Sequence, residues 1–318
     1  MGRPPRNAAI PSRRGVSASC VALPSDKPAP WVHLVDFLTE RLSAVSRTAW
    51  ALRMARAEVL DEAGQPLLPE APFRAGTRVY YYRELDDEPE VPFEEAVLYQ
   101  DEHLLVADKP HFLPVTPGGR YVQQSLLVRL KNRLGIESLS PIHRIDRETA
   151  GLVLFSLRPQ DRAAYQALFR ERSVHKVYEA IASSGTAHAW PLVRRSRIVE
   201  EDQAFFRMGE ADGEPNSETH IDLLRELGLG LGLYELQPVS GKRHQLRVHM
   251  AALGLPLRND PFYPEVNDPP EGDYSRPLQL LARSLRYTDP LNGQERSFET
   301  RLRLQWPVTD AATTPVAA

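Results

Sequence analysis

The fourteen residues Pro141-Ile-His-Arg-Ile-Asp-Arg-Glu-Thr-Ala-Gly-Leu-Val-Leu154 set one acid, Asp146, between Arg144 and Arg147, with His143 just before them and an apolar run just after. A free aspartate, with a pKa of about 3.9, is ionised at neutral pH, and a guanidinium alongside favours the charged form. A carboxylate kept ionised suits nucleophilic or electrostatic work better than acid catalysis. An isolated acid between arginines is also what an ordinary exposed ion pair looks like, and such pairs contribute little. The rest of the chain therefore carries the decision.

A second constellation is Gly241-Lys-Arg-His-Gln-Leu-Arg-Val-His-Met-Ala-Ala-Leu-Gly254, which opens and closes on glycine as a helix of about three turns does. Leu246, Met250 and Leu253 supply a buried stripe, and Arg243 and Arg247 fall four apart on another face. Two guanidiniums at that spacing repel unless an anion lies between them. That anion is either a phosphate or Asp146 itself. A third stretch, His175-Lys-Val-Tyr-Glu-Ala-Ile-Ala182, alternates so that Lys176, Tyr178, Ala180 and Ala182 share one face of a strand.

These groups need a scaffold. Residues 1–30 hold Arg3, Arg6, Arg13 and Arg14 among Pro, Ser and Ala, a composition that predicts a flexible basic tail. Residues 31–83 predict two helices and a short strand-turn-strand, with apolar positions Val32, Val35, Leu38 and Leu42 in helical period. Residues 84–92, acidic with two prolines, read as a linker, and 307–318 as a disordered C-terminal tail. The span 93–306 carries the candidate chemistry. Its strands at 97–100, 104–109, 151–157, 175–182, 218–224, 233–238 and 278–281 and its helices at 121–134 and 160–174 lack the regular βα rhythm of a parallel sheet. We therefore predict an α+β fold with a mixed, largely antiparallel central sheet and flanking helices.

Composition narrows the chemistry further. Cys20 is the only cysteine, so an internal disulfide is excluded and cysteine-based metal sites are disfavoured. His244 and His249 lack the arrangement of an H-E-x-x-H site, and neither G-x-G-x-x-G nor G-x-x-x-x-G-K-[ST] occurs. No cofactor and no metal is expected. No apolar run reaches membrane-spanning length and no apolar leader is present, so a cytoplasmic protein is expected. The net charge of −3 hides an uneven distribution: residues 84–104 hold nine acids and no Lys or Arg, whereas 120–176 hold eleven Lys or Arg against five acids. The basic excess surrounds Asp146, as a polyanion partner would require.

Together these blocks resemble the RluA family of pseudouridine synthases. Its loop H-R-L-D-x-x-T-S-G-L is matched by His143-Arg-Ile-Asp-Arg-Glu-Thr-Ala-Gly-Leu152 and its K-x-Y strand by Lys176-Val-Tyr178. Its G-R-T-H-Q-I-R-V-H helix is matched by Gly241-Lys-Arg-His-Gln-Leu-Arg-Val-His249, and its G-D-x-x-Y by Asn259-Asp-Pro-Phe-Tyr263. The four blocks keep order and spacing across 93–304, and 32–82 is weakly similar to the alpha-L RNA-binding module. The resemblance implies a pseudouridine synthase fold acting on RNA, an rRNA or tRNA stem-loop, as a monomer without cofactor. It makes Asp146 the catalytic aspartate, pairs it with Arg247, stacks Tyr178 on the target uracil and has Arg144 hold or replace the flipped nucleotide. His143, Lys176, Arg243, His244 and Gln245 are the further expected RNA contacts. Ala150 stands where the family has serine, and Asn259 and Leu281 depart from its usual glycine and histidine; these departures prompt one alternative, an inactive RNA-binding protein of the same fold. A carboxylate glycosidase lacks an evident second acid.

Overall fold

The computed structural model describes residues 7, 9–25, 29–83, 87–185, 187–201, 204–267 and 269–306. They divide into two units, one of residues up to 88 together with 117–123 and 128–137, the other of 89–116, 124–127 and 138 onward.

In the first unit β1 (Ser19–Ala22) precedes α1 (Leu34–Arg41), α2 (Arg47–Ala55), β2 (Val59–Leu60) and β3 (Arg78–Tyr81). The strands form a sheet in the order β1-β3-β2. Ser46 caps α2 by accepting a hydrogen bond from the Ala49 amide at 3.2 Å, satisfying one of the orphan donors of a helix start. Leu34, Val35, Phe37 and Leu38 of α1 pack on Trp50 and Met54 of α2 and on Val59 and Val79 of the strands. Two expectations change. Val32, assigned to the apolar stripe, precedes the helix and is 73% exposed. The segment expected to be a flexible tail supplies β1, and Ile10, Val16 and Leu23 are buried; isolated apolar side chains within a polar composition were enough to dock it. The expectations for residues 1–6 and for 307–318 lie outside the described residues.

The second unit is organised by one large sheet. Its strands are β4 (Ala96–Gln100), β5 (Leu104–Lys109), β6 (Ser140–Pro141), β7 (Ala150–Ser156), β8 (His175–Ser183), β9 (Leu192–Glu201), β10 (Ala204–Ala211), β11 (Ser217–Gly228), β12 (Leu231–Pro238), β13 (Leu280–Thr288) and β14 (Glu295–Glu299). They run in the order β10-β9-β11-β12-β8-β13-β7-β5-β4, with β14 on β13 and β6 on β7. Every pairing is antiparallel except β13 with β7. The helices are α3 (Leu126–Leu134), whose first two residues alone belong to this unit, α4 (Arg162–Arg170) and α5 (Gln245–Ala252). The sheet is therefore mixed and largely antiparallel.

Helix ends differ from the periodicity for local reasons. Residues 121–125 stay outside α3, because Gly118 and Tyr121 pair across a tight turn. Helix α4 stops at Arg170, and Arg172 takes a left-handed conformation with φ of 60° that ends the turn. Helix α5 begins only at Gln245, after His244 at φ 54°. Its Leu246 and Met250, with Leu253 just beyond its end, still form the expected apolar stripe, against Ala180, Ala182, Tyr234 and Leu236 of the sheet.

One row across the sheet positions the loop that bears Asp146. Tyr178 of β8 lies opposite Ala282 of β13, and Ala282 lies opposite Gly151 of β7. Gly151 makes this possible. Its φ is 111°, and a Cβ there would fall 2.3 Å from the Ala282 carbonyl oxygen. The loop 142–149, entering β7 beside this row, is thereby brought to the start of β8. Leu236 of β12 pairs with Tyr178 from the other side, so the turn that leaves β12 for α5 arrives at the same place.

Candidate active site

Arg144, Asp146, Lys176, Tyr178, His244, Gln245 and Arg247 line one cavity of about 110 Å³ that opens to solvent. The Asp146 loop is fixed from within by backbone anchors. The buried Lys109 ammonium donates to the carbonyls of Pro110, Leu113 and Arg147 at 2.9, 2.7 and 3.0 Å. His111 donates from Nδ1 to the Glu148 carbonyl at 2.7 Å. Thr149 donates its amide to the Asp146 carbonyl at 3.2 Å. Three of the loop's carbonyls thus have fixed partners, which holds Asp146 without restraining its side chain.

His143 does not line the cavity. Its ring stacks on Phe169 with centroids 4.4 Å apart, and its Nε2 accepts the Leu154 amide at 3.1 Å. Burial pushes its pKa down to about 3, so the ring is neutral and tied to β7. It braces the loop between Phe169 and the Leu154 amide. The helical pairing expected of Arg243 with Arg247 is corrected. Arg243 precedes α5, is exposed, and sits 3.6 Å from Glu200. Because the helix starts at residue 245, the expected pair of guanidiniums on one helical face does not form. Gln245 does line the cavity, but its amide donates to the Glu218 carbonyl and Thr219 Oγ1 while its oxygen accepts from Ser240 Oγ and the Lys242 amide. All its hydrogen-bonding capacity goes into holding the turn between β12 and α5.

Arg247 is the centre of the charge network. Its guanidinium is fully buried and donates to Asp260 twice, Nη2 to Oδ1 at 2.6 Å and Nε to Oδ2 at 2.8 Å. Asp146 Oδ2 lies 3.4 Å from Nη1 and Glu148 Oε2 3.6 Å from it. The faces of Phe262 and Tyr263 cover the guanidinium at 5.0 and 5.3 Å. Burial alone would disfavour the cation, but the Asp260 carboxylate, with Asp146 and Glu148, raises its pKa above that of free arginine. Burial would likewise favour the neutral form of Glu148, yet Arg147 and Arg247 hold its pKa down. Asp146 therefore faces a permanent cation already neutralised by Asp260.

Asp260, Glu148, Lys109 and His111 received no role from the sequence. The acid of the G-D-x-x-Y match was a visible signal for Asp260. Lys109 and His111 act through backbone carbonyls and Glu148 through a buried pairing with Arg247, and local residue type signals neither. Asn259 adopts φ of 59° and donates from Nδ2 to the Pro277 carbonyl at 3.1 Å. Asparagine tolerates that conformation, which explains how it replaces the family's glycine. Leu281 is fully buried and pairs with Ala150 in the sheet.

Around the cavity mouth, burial lowers the Lys176 pKa to about 8, assisted by the Arg172 charge, and its ammonium donates to the Ser240 carbonyl at 2.9 Å. Burial, reinforced by Asp146, raises the Tyr178 pKa well above its ordinary value. The cavity thus combines an exposed arginine, a carboxylate set against a buried guanidinium, a neutral phenol and a lysine.

The family profile described as RNA pseudouridylate synthase matches residues 103–252. The chain is 31% identical over 232 residues to an uncharacterized RNA pseudouridine synthase of Synechocystis, covering 72% of this chain and 79% of that one. It is 32% identical over 207 residues to the dual-specificity RNA pseudouridine synthase RluA of Haemophilus influenzae, covering 64% of this chain and 92% of the relative. The solved structure of human RNA pseudouridylate synthase domain containing 1 superposes with a TM-score of 0.54 at 24% identity, covering 67% of this chain and 86% of that one, which establishes the shared fold. The chain belongs to the RluA family of RNA pseudouridine synthases.

Proposed function

We propose that Asp146 is the catalytic carboxylate of this isomerase and that its target uridine enters the cavity flipped out of the RNA. The carrying observation is the pairing of Asp146 with the buried Arg247 at 3.4 Å in a cavity that Tyr178 also lines. Pseudouridine formation breaks the bond from ribose carbon 1 to base nitrogen 1, turns the uracil and rejoins it through carbon 5. No net redox change occurs, so side chains suffice. The carboxylate attacks the sugar, removes a sugar proton or adds to the base, and all three routes need it ionised. The Arg247 guanidinium lies 3.4 Å from it.

Unstacking the uridine costs a few kcal/mol. Stacking on Tyr178, worth roughly 1–3 kcal/mol, offsets much of this. Since its phenol keeps its proton at neutral pH, Tyr178 serves as platform and donor; taking the carbon 5 proton requires the phenol proton to leave first. Arg144, exposed and lining the cavity, holds the everted nucleotide or fills its place. Lys176 has two N–H groups beyond the one given to Ser240 and takes a phosphate. The substrate is a ribosomal or transfer RNA stem-loop, bound by a cytoplasmic monomer.

Asp146→Asn tests the assignment. It should abolish tritium release from RNA labelled at uracil carbon 5 while RNA affinity stays within about threefold; full activity would overturn it. Mapping pseudouridines in cellular RNA with and without the gene identifies the target.

A further inference from the structure

His244, one of the expected RNA contacts, lines the cavity beside Asp146. It is 7% exposed and left-handed at φ 54°, uncommon for a residue with a side chain. Its ring is gripped on three sides. Phe262 stacks against it at 5.9 Å, Tyr263 meets it edgewise at 5.7 Å, and Nδ1 lies 2.9 Å from the Tyr263 hydroxyl. The other nitrogen, Nε2, lies 4.0 Å from Asp146 Oδ2. Burial lowers its pKa, with Arg247 and Arg243 adding to the effect against the Asp146 and Glu148 charges. The imidazole is neutral and carries one proton, so its tautomer decides what it offers the cavity.

Tyr263 frames that choice. Its hydroxyl lies 2.8 Å from the Met208 amide and 2.9 Å from the Met208 carbonyl as well as 2.9 Å from His244 Nδ1. The amide must donate to it, so the single phenol proton goes either to the carbonyl or to Nδ1. In the first case Nδ1 carries the imidazole proton and a bare Nε2 lone pair faces the Asp146 carboxylate. In the second, Nε2 carries the proton and points it toward that carboxylate. The Asp146 carboxylate 4.0 Å away attracts an N–H and repels a lone pair, and a full charge outweighs the one neutral hydrogen bond exchanged at the Met208 carbonyl. The Nε2–H tautomer is favoured.

At 4.0 Å that N–H is beyond hydrogen-bonding distance of Asp146, so it remains a donor directed into the cavity. We propose that His244, its ring held by Tyr263 and its Nε2–H tautomer favoured by the Asp146 charge, donates to a carbonyl oxygen of the flipped uracil and stabilises the negative charge that develops there during the reaction. His244 keeps its proton throughout; only a hydrogen bond is made. The inference rests on the reading of Asp146 and the flipped uridine given above. It adds a catalytic residue, His244, and a positioning residue, Tyr263. Uracil oxygens gain charge as the bond to the sugar breaks or as the carboxylate adds to the base, so the contact strengthens in the transition state and acts on kcat rather than on affinity.

The test uses total RNA labelled with [5-³H]uridine from a strain lacking the gene, with single-turnover tritium release and filter binding measured on the same RNA. His244→Ala should slow release by about 10²–10³-fold, the usual effect of losing one such donor, with affinity changed less than about threefold. His244→Gln, which restores an N–H, should recover at least about tenfold of that loss, and Tyr263→Phe should fall between wild type and His244→Ala. Nitrogen-15 spectra of histidine-labelled wild type should show the Nε2–H tautomer at His244. An Nδ1–H tautomer, or wild-type release rates in His244→Ala, overturns the proposal. Should His244→Ala unfold, the spectra and the glutamine variant still decide it. Asp146→Asn run alongside separates the two readings: inactivity there with full activity in His244→Ala removes only the role of His244, whereas activity in Asp146→Asn removes the reading beneath it.

Discussion

Arg247 makes its two short hydrogen bonds to Asp260, at 2.6 and 2.8 Å, and approaches Asp146 only at 3.4 Å. The guanidinium is thus locked by one carboxylate and presented to another. Bidentate geometry of this kind is available to arginine and not to lysine. Breaking one partner of a buried ion pair is expected to destabilise by about 3–5 kcal/mol. Asp260→Ala should lower the urea midpoint accordingly and reduce tritium release more than tenfold. Arg247→Lys should retain more stability than Asp260→Ala yet also lose activity, because it cannot span both acids. Unchanged turnover in either variant would remove the coupling between the pair and Asp146.

Lys109 gives a pH-dependent stability. Burial depresses its pKa from 10.5 to about 7, partly opposed by Glu148 and Asp146. Between those values the unfolded chain binds more protons than the folded one, so stability from this group rises with pH across the window from 7 to 10.5 and its penalty is fully present below 7. Lys109→Met abolishes that dependence and leaves three buried carbonyls without their donor, a loss of about 3 kcal/mol or more. Denaturant unfolding of both proteins at pH 6, 8 and 9.5 checks this: the wild-type advantage should widen as pH rises.

Lys176 gives a pH-dependent affinity. With its pKa lowered to about 8 by burial and the Arg172 charge, it loses its cation as pH climbs through that value, and RNA binding should weaken there by severalfold. Lys176→Arg should keep the affinity flat into the alkaline range, and Lys176→Met should be weak and flat from pH 6.5 upward. Filter binding at one fixed salt concentration reads this, since phosphate contacts are strongly salt-dependent. A wild-type curve with no inflection would count against a phosphate at Lys176.

Gly151→Ala tests the row that sets the site. The new Cβ would stand 2.3 Å from the Ala282 carbonyl at φ 111°. Strands β7 and β13 would have to separate, at about 3 kcal/mol or more, and the Asp146 loop would move away from Tyr178. We expect a low yield of folded protein, with the surviving fraction inactive at normal RNA affinity. Wild-type thermal stability would refute the tight approach.

Much of the site was legible in the sequence. The acid between two arginines, the Lys-x-Tyr alternation and the apolar stripe of Leu246, Met250 and Leu253 each rest on local spacing, and local spacing fixes which side chains share a strand or helix face. The α+β class followed from the absence of a βα rhythm for the same reason. Tertiary structure decided the partners. That Arg247 is locked by Asp260, that His143 holds the Leu154 amide, and that Arg243 faces Glu200 all depend on how the chain folds back on itself. Hydrogen bonds and desolvation act over a few ångströms of space, whereas sequence measures distance along the backbone. A residue such as Lys109, whose partners are three carbonyls, leaves no mark in residue types at all.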